Sequence, residues 1–296
     1  MNKPNLFLIG AMKSGSTTLH ELLADHPQIC MSEPKEPCYL VEPELLKDMW
    51  PEMWRMGFWK SEAAYLALFS AKPDALYRGE SSTDYAKLPK VTGVVDRMAS
   101  FNPDARIVYI MRDPVERSIS HYWHMVEHRG ETRGPMEAIL NDPHYTDVSD
   151  YAMQLRPYLE RFGRERIHVM TFEELTRNPL PTVMCVFAWL GVDTEFAPAD
   201  TQSARNATPM QVTQRRKGAS LLHQFRHSRF WNGVGQFVPP AIRKLGVSLV
   251  EKKVERKQID MTPVKDYLRQ LQRNQVEELV RLTGRDFPEW KTLHGR

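Results

Sequence analysis

A glycine-bearing segment near the start of the chain has the residue types and spacing of a phosphate-binding loop. Residues 7–23 read as a short apolar strand, a turn that contains Gly10 and Gly15, and the first turns of a helix. Backbone N–H groups in such a turn, together with the positive end of the helix dipole, attract an anion, and Thr17 and Thr18 add hydroxyl donors. The segment therefore predicts a phosphate cradle.

The position of the lysine indicates which phosphate chemistry the cradle serves. A Walker A loop requires Gly-x-x-x-x-Gly-Lys-Ser/Thr. Gly10 and Gly15 have that spacing, but Ser16 stands where the lysine belongs, and the lysine of this segment is Lys13. This displacement argues against ordinary ATP or GTP hydrolysis. It favours a related loop whose lysine meets a different part of the donor.

A second group of candidate anion-binding residues follows the apolar run 106–111. Arg112 comes directly after this predicted strand, and Ser120 lies eight residues further on, about two turns into the next predicted helix. Ligands of open α/β sheets bind outside the carboxyl ends of the strands, so Arg112 and the Lys13 loop are expected to face one ligand. A guanidinium offers a bidentate fork to phosphate. An Arg-Asp-Pro turn alone is more often a helix cap, but combined with the first loop it predicts a second anion site.

Short apolar runs alternate with helical patterns along the chain, which is typical of crossover units in a mostly parallel sheet flanked by helices. We therefore predict an α/β fold. Strands are predicted over 5–9, 28–31, 75–79, 106–111 and 167–172. Helices are predicted from about 16, and over 61–69, 87–100, 114–128, 150–162, 181–190 and 263–282. Asp113 is expected to cap its helix, with Glu116 completing a capping-box-like pair.

An aromatic stripe recurs at helical spacing in the interval without a predicted strand. Trp50, Trp54 and Phe58 are four residues apart. Such a stripe either stacks on an acceptor or forms a helix face buried in the core, and the second interpretation is favoured because large aromatic side chains dominate cores.

Length and composition predict one domain over residues 1–296. A chain of 296 residues with 42% hydrophobic and 26% charged residues can bury one sizeable α/β core or at most two small ones, and one domain is favoured. It contains no apolar run of about 18 residues and no signal-like start, so we expect a cytoplasmic protein without a transmembrane segment. Three cysteines without metal-ligand spacing predict free thiols and no structural zinc.

The net charge of +3 hides a local excess of positive charge. Residues 201–250 contain eight of the 40 Lys and Arg residues and no acidic residue, which leaves 32 basic against 37 acidic residues elsewhere. A basic segment on an otherwise acidic body suits capture of an anionic ligand. A solvated loop is the alternative, although interleaved Leu, Phe and Trp residues favour a packed segment.

Several segments resemble, in order, those of sulfotransferases that use 3′-phosphoadenosine 5′-phosphosulfate (PAPS). Lys13-Ser-Gly-Ser-Thr-Thr18 resembles their 5′-phosphosulfate loop, and Arg112-Asp-Pro-Val-Glu-Arg-Ser-Ile-Ser120 resembles their 3′-phosphate loop. Lys35-Glu36-Pro resembles the segment that carries the catalytic glutamate in the carbohydrate-type, heparan-type branch. Further matches cover nearly the whole chain and lie at 79–85, 151–172 and 282–290. The resemblance implies a single-domain sulfotransferase fold related to P-loop NTPases.

The same resemblance implies a role for each matching residue. Backbone amides of Ser14, Gly15, Ser16 and Thr17, with the side chains of Thr17 and Thr18, would hold the 5′-phosphate. Arg112 and Ser120 would hold the 3′-phosphate. Lys13 would neutralise the leaving oxygen, and Glu36 would take the acceptor proton.

PAP, the 3′,5′-bisphosphate of adenosine, would be the product, and we expect no metal requirement. A basic segment within 191–260 would cover the nucleotide and substrate. Its candidate cofactor-binding residues are Arg205, Arg215 and Lys217.

The resemblance predicts a carbohydrate hydroxyl as acceptor, with a small natural-product alcohol or phenol as the alternative. This chain has Cys38 and Ser81 where carbohydrate enzymes often have histidine and lysine, which affects the acceptor contacts. Glu80 is expected either to assist positioning or to form a cap or salt bridge. Two other classes stay open: a nucleoside or sugar kinase, which would need magnesium and ATP, and a non-catalytic nucleotide-binding module. Nucleic acid is not expected as a partner.

Overall fold

The computed structural model describes residues 3–198, 211–215 and 251–296, with backbone alone for 211–215 and 251–254. These residues group into two compact units. The first comprises 3–118, 146–198 and 268–296, and the second comprises 119–145, 211–215 and 251–267. The expectation of one domain over 1–296 stays a prediction.

A five-stranded parallel sheet forms the centre of the first unit. Its strands are β1 (Leu6–Leu8), β2 (Ile29–Met31), β3 (Tyr77–Ser81), β4 (Arg106–Met111) and β5 (Ile167–Thr171). The strand order is β2-β3-β1-β4-β5. Leu6 pairs with Gly79 on one side and with Arg106 on the other, so β1 is the central strand. The chain direction across the sheet reverses between β1 and β4, and such a switch point opens a crevice at the carboxyl ends of the two strands.

Helices connect the strands as crossovers. The helices up to β5 are α1 (Ser16–Asp25), α2 (Pro43–Met49), α3 (Pro51–Met56), α4 (Glu62–Ala67), α5 (Val94–Phe101), α6 (Pro114–His124), α7 (Pro135–Asn141), α8 (His144–Asp147) and α9 (Tyr151–Phe162). Those after β5 are α10 (Phe172–Arg177), α11 (Pro179–Leu190), α12 (Thr262–Thr283) and α13 (Lys291–His294). The predicted α/β fold with a parallel sheet is confirmed.

Both faces of the sheet are covered, because successive residues of a strand point to opposite faces. Leu6 and Val108 lie in one buried cluster with Leu19 of α1 and Phe187 of α11. On the other face, Tyr109 of β4 contacts the Tyr151 ring of α9 with 6.0 Å between centroids. Fully burying an apolar side chain such as Leu6 or Phe187 contributes roughly 1.5–3 kcal/mol to folding.

Two predicted elements lie elsewhere than expected. The third strand begins at Tyr77 rather than 75 and continues through Glu80 and Ser81, which are fully buried. The helix predicted over 87–100 begins only at Val94, after Gly93 in the left-handed region at φ 73°. Pro89 precedes that start, and a proline disfavours helical conformation in the residue before it.

The aromatic stripe does not form one continuous helix. Trp50 separates α2 from α3, because Pro51 begins a new helix there, and Gly57 at φ 76° ends α3 before Phe58. The stripe residues Trp50, Trp54 and Phe58 are half-buried. The favoured prediction of a buried helix face is therefore wrong.

The second unit contains the end of α6, which continues as a π-helical turn over Met125–Arg129, followed by α7. It also contains an antiparallel pair of strands, β6 (Gln211–Arg215) and β7 (Glu251–Glu255). Its side chains include a salt bridge between Arg133 and Glu131 at 2.5 Å.

The three cysteines form no disulfide. Cys30 and Cys38 are buried, whereas Cys185 is exposed on α11. None of the helices within 3–198 and 251–296 is long and apolar enough to cross a bilayer.

Candidate functional site

The loop after β1, here called the β1 loop (residues 9–15), is shaped by backbone hydrogen bonds. Ala11 N–H donates to the Ile110 carbonyl at 2.6 Å, and Ile110 N–H donates to the Gly10 carbonyl at 2.9 Å, so the pairing with β4 continues beyond the strand. Lys13 at φ 69° and Gly15 at φ 87° lie in the left-handed region. These conformations turn the chain into α1, which begins at Ser16 as predicted.

Two features of the β1 loop bear on the predicted phosphate cradle. The Ser14 hydroxyl is fully buried, and its oxygen has no hydrogen-bond partner among the residues described. A Cβ at Gly15 would lie 2.8 Å from the Phe172 ring, so only glycine allows this ring to pack against the start of α1. A buried unpaired hydroxyl costs free energy, which an anion at the start of α1 would offset.

Arg112 lies beside the β1 loop, as the sequence predicts. Its Nη1 is 3.4 Å from the Lys13 carbonyl oxygen, and its guanidinium carbon lies 4.9 Å from the centre of the Phe172 ring. Tyr151 donates its hydroxyl to the Arg112 carbonyl at 2.7 Å. The arginine is thus held at the carboxyl edge of the sheet between β1 and β4. The two sequence segments predicted to bind phosphate meet at this edge.

Asp113 caps α6 as predicted, since Oδ1 accepts from Val115 N at 3.0 Å and from Glu116 N at 3.4 Å. The backbone N–H of Asp113, which a capping box would pair with Glu116, donates instead to Glu173 Oε1 at 2.9 Å. Burial raises the pKa of Glu173 to about 6. Glu173 follows Phe172 at the start of α10 and therefore ties α10 to α6.

The loop after β2, here called the β2 loop (residues 32–41), carries Glu36 at φ 62° and Cys38 at φ 51°. Each such non-glycine residue costs about 1–2 kcal/mol, and strain of this kind clusters at functional sites. Lys35 Nζ donates to Glu36 Oε1 at 2.8 Å and to Ser16 Oγ at 3.3 Å. A single ammonium therefore joins the Glu36 carboxylate to the first residue of α1.

Glu80 lies behind the β2 loop and has no exposed surface. Its carboxylate accepts hydrogen bonds from the Tyr65 hydroxyl at 2.5 Å, the Ser82 hydroxyl at 2.6 Å and the Tyr85 hydroxyl at 2.8 Å. Burial raises the pKa of Glu80, while the three hydroxyl donors oppose the rise. Hydrogen bonds from hydroxyl groups replace the cap or salt bridge that the sequence left open.

Ser81 follows Glu80 at the position where carbohydrate enzymes often have lysine. Its hydroxyl is 2.8 Å from His20 Nδ1, and both residues are buried. Burial, with a smaller effect from the Lys35 ammonium, lowers the pKa of His20 to about 4. His20 is therefore neutral at pH 7 and pairs with a neutral hydroxyl.

The remaining predicted residues lie as follows. Thr17 and Thr18 are half-buried in the first turn of α1, and Ser120 is buried on α6. Arg215 ends β6, where its backbone pairs with Glu251. Arg205 and Lys217 lie outside the described residues, as does most of the 191–260 segment.

Sequence reasoning did not assign roles to Lys35, Phe172, Tyr65, Ser82 and Tyr85. Lys35 adjoins Glu36, so the Lys-Glu pair itself is the signal that identifies it. Nothing in the spacing of the two tyrosines points to a shared carboxylate. Their hydroxyls meet only through the fold. Within the described ranges, no three His, Cys, Asp or Glu side chains group in a way that would hold a metal ion.

Comparison with known proteins places this site in context. The model of the sulfotransferase family matches residues 4–196. The bifunctional heparan sulfate N-deacetylase/N-sulfotransferase 1 of Caenorhabditis elegans is 26% identical over 200 residues, which cover 63% of this chain and 22% of that protein. Human heparan sulfate glucosamine 3-O-sulfotransferase 5 is 22% identical over 205 residues, covering 64% and 54%. The chain thus spans about a fifth to a half of these relatives.

A solved structure matches over its full length. The crystal structure of a sulfotransferase from Alicyclobacillus acidocaldarius superposes with a TM-score of 0.69 at 26% identity, covering 98% of this chain and 100% of that chain. The family model covers well over half of the sequence, including β1 to β5 and both loops described above. The chain therefore belongs to the sulfotransferase family.

Proposed function

We propose that this protein transfers a sulfuryl group from PAPS to an acceptor hydroxyl, most suitably on a carbohydrate, and releases PAP. The observation that carries the proposal is the meeting of the two segments predicted to bind anions at one sheet edge, where Arg112 Nη1 lies 3.4 Å from the Lys13 carbonyl oxygen. A donor with phosphates at both its 3′ and 5′ positions can engage both segments, whereas a nucleotide with a 5′-phosphate alone engages one.

The β1 loop would hold the 5′-phosphate end of the donor. The backbone amides of 14–17 at the start of α1, the buried Ser14 hydroxyl and the side chains of Thr17 and Thr18 offer donors to an anion. Arg112 would fork onto the 3′-phosphate, its guanidinium supported by the Phe172 ring. Ser120, Arg205, Arg215 and Lys217 are proposed as further donor-binding residues on the family resemblance alone.

The donor supplies an activated sulfuryl group whose bond to the 5′-phosphate oxygen breaks as the bond to the acceptor oxygen forms. Lys13 would stabilise negative charge on the departing phosphate oxygen. Glu36 would accept the proton of the acceptor hydroxyl. Lys35 keeps the Glu36 carboxylate beside α1 and therefore beside the proposed donor site.

The proposed acceptor class comes from the relatives. Both named relatives are heparan sulfate enzymes, one an N-sulfotransferase and one a glucosamine 3-O-sulfotransferase. We favour O-sulfation of a carbohydrate, with a small natural-product alcohol or phenol as the alternative acceptor.

A transfer assay tests the proposal directly. The wild-type protein is incubated with radiolabelled PAPS and either heparosan, its N-deacetylated form, or p-nitrophenol, without added metal. We expect transfer to a heparosan hydroxyl. Transfer to p-nitrophenol alone would replace the carbohydrate by the phenol alternative. ATP turnover that requires magnesium, with no sulfuryl transfer, would contradict the proposal.

Calorimetry tests the role of Arg112. A charge-assisted arginine–phosphate contact contributes about 1.5–3 kcal/mol, so the wild type should bind PAP about tenfold to a hundredfold more tightly than AMP. Arg112→Ala should remove most of this preference and leave AMP binding unchanged. Arg112→Lys keeps the charge but loses the fork, so an intermediate preference is expected. Equal affinities for PAP and AMP in the wild type would refute the assignment.

A further inference from the structure

The β2 loop is held from behind by two hydroxyl groups. Cys38 N–H donates to Ser82 Oγ at 3.1 Å, and Leu40 N–H donates to the Tyr85 hydroxyl oxygen at 3.1 Å. These are the backbone amides of the second and fourth residues after Glu36. Both accepting hydroxyl groups belong to the segment after β3. The two hydrogen bonds therefore fix the strained turn that carries the Glu36 side chain.

The same two hydroxyl groups donate their protons to Glu80. Ser82 Oγ is 2.6 Å from Glu80 Oε2, and the Tyr85 oxygen is 2.8 Å from Glu80 Oε1. A hydroxyl group has one proton and two lone pairs. With each proton committed to the carboxylate, the lone pairs are left to accept the loop amides.

Tyr65 provides an internal comparison. Its hydroxyl also donates to Glu80 Oε1, at 2.5 Å, and its ring stacks on Tyr39 with 4.0 Å between centroids. No hydrogen bond from a β2-loop amide to the Tyr65 hydroxyl is found in the described part of the chain. Tyr65 and Tyr85 thus donate to the same carboxylate oxygen, but within the described residues only the Tyr85 hydroxyl also accepts a β2-loop amide. Tyr65 contacts the loop through its ring, on Tyr39, and Tyr65→Phe retains that contact.

We infer that Glu80 is a positioning residue for Glu36, acting through Ser82 and Tyr85 on the backbone amides of Cys38 and Leu40. The inference rests on the proposed function, in which Glu36 takes the acceptor proton. Thr83, which lies between the two relay residues, contacts Glu36 directly, with its hydroxyl 3.4 Å from Oε1. One segment therefore fixes both the backbone and the carboxylate of the proposed base.

Because Glu80 is buried, its substitution is expected to change how the hydroxyl groups hold the β2 loop. The Glu80 side chain has no access to solvent, so water cannot replace a lost partner. Replacing Glu80 by glutamine puts an NH₂ donor against at least one of three hydroxyl donors. A hydroxyl that must then accept from the glutamine loses its former acceptor and reorients, which weakens its hold on the loop.

The matched pair Tyr85→Phe and Tyr65→Phe tests the inference in the full-length protein. Both substitutions remove one buried hydroxyl from the same carboxylate oxygen and retain the ring. We expect Tyr85→Phe to lower kcat for sulfuryl transfer from PAPS to heparosan about tenfold or more, because displacements of about 1 Å at a reacting group cost up to a hundredfold. Tyr65→Phe should lower kcat less than about twofold. The Kd for PAP should stay within about twofold in both variants.

Ser82→Ala and Glu80→Gln extend the test if Tyr85→Phe fails to fold. Each should show the same selective loss of kcat, and amide hydrogen exchange should accelerate at Cys38 and Leu40 but remain unchanged in Tyr65→Phe. Equal kcat values for Tyr85→Phe and Tyr65→Phe, or unaltered exchange in Glu80→Gln, would overturn the inference while the proposed function stands. A wild type that transfers no sulfuryl group to any acceptor would overturn the proposed function and with it the role of Glu36.

Discussion

The β1 loop and the β2 loop lie at the same edge of the sheet but are built in different ways. The β1 loop is shaped by its own backbone, with glycines at φ 145° and 87° and hydrogen bonds to the neighbouring strand β4. The β2 loop depends on side chains of Ser82 and Tyr85, which are 44 and 45 residues distant from their partners in the sequence. A local turn binds a common group such as phosphate, whereas a long-range network positions one particular carboxylate.

The comparison predicts that damage at the β2 loop affects rate without affecting donor binding. Glu36→Gln should lower kcat about a thousandfold, since loss of a general base typically costs a hundredfold to ten-thousandfold. The Kd for PAP should not change, because Glu36 has no proposed contact with it. Transfer assays and calorimetry on the same preparation measure both. If the Kd for PAP rose by the same factor as kcat fell, Glu36 would contribute to donor binding as well as to the rate.

Lys13→Ala should also lower kcat strongly, by about a hundredfold, since stabilisation of a developing charge is normally a large catalytic contribution. Unlike Glu36→Gln, it should also weaken PAP binding by a few-fold, because an ammonium is removed from the phosphate cradle. Lys35→Ala is the control, since it removes a neighbouring ammonium that pairs with Glu36. If Lys35→Ala weakens PAP binding more than Lys13→Ala does, the leaving-group role belongs to Lys35.

Gly15→Ala should break the β1 loop in a way that is visible in binding. The new Cβ would stand 2.8 Å from Phe172 at a backbone φ of 87°, which costs about 1–2 kcal/mol before any repacking. We expect PAP affinity to fall roughly tenfold to thirtyfold. The double variant Gly15→Ala/Phe172→Ala relieves the contact, but it keeps the backbone strain and removes the ring beside Arg112, so only partial recovery is expected in calorimetry. Unchanged PAP affinity in Gly15→Ala would place the phosphate elsewhere.

The smallest effect at neutral pH is expected for His20→Gln, on α1, where His20 Nδ1 lies 2.8 Å from the Ser81 hydroxyl. The pKa of His20 is about 4 in the folded protein against 6.5 unfolded, so the unfolded state binds more protons between these values. The wild type should therefore be fully stabilised above pH 6.5 and lose up to roughly 3 kcal/mol of unfolding free energy as the pH falls to 4.

His20→Gln should lose less over the same interval. Urea unfolding at several pH values measures the difference, and His128→Gln on the surface is the control. Parallel curves for His20→Gln and the wild type would contradict the assignment.

Local signals explain which parts of the fold could be predicted from the sequence. β4 has the predicted bounds. α9 begins where expected because the Asp150 side chain caps it by accepting from Met153 N, and it ends at the expected Phe162. α11 ends before Gly191 at φ 72°. The predicted bounds of the third strand, 75–79, differ from the observed Tyr77–Ser81. A hydrophobic pattern cannot predict that Glu80 and Ser81 are buried, because their burial depends on partners elsewhere in the chain.

The same distinction holds for the candidate site. The β1 loop and Arg112 could be predicted from the sequence, since each lies between a predicted strand and the helix that follows it. Phe172 beneath Arg112 and the hydroxyl groups around Glu80 required the fold, because nothing in their local sequence specifies a partner. The residue roles, the absence of a metal requirement and the cytoplasmic location stay predictions.

The exposure of the cysteines has a practical consequence for following ligand binding in solution. Cys38 adjoins the proposed catalytic segment but is buried, and burial raises the pKa of its thiol well above the usual range, which suppresses the reactive thiolate. Cys30 is shielded as well, so maleimide should attach to Cys185 alone among the three thiols. One fluorophore can therefore be placed on α11, at the exposed Cys185, without mutagenesis.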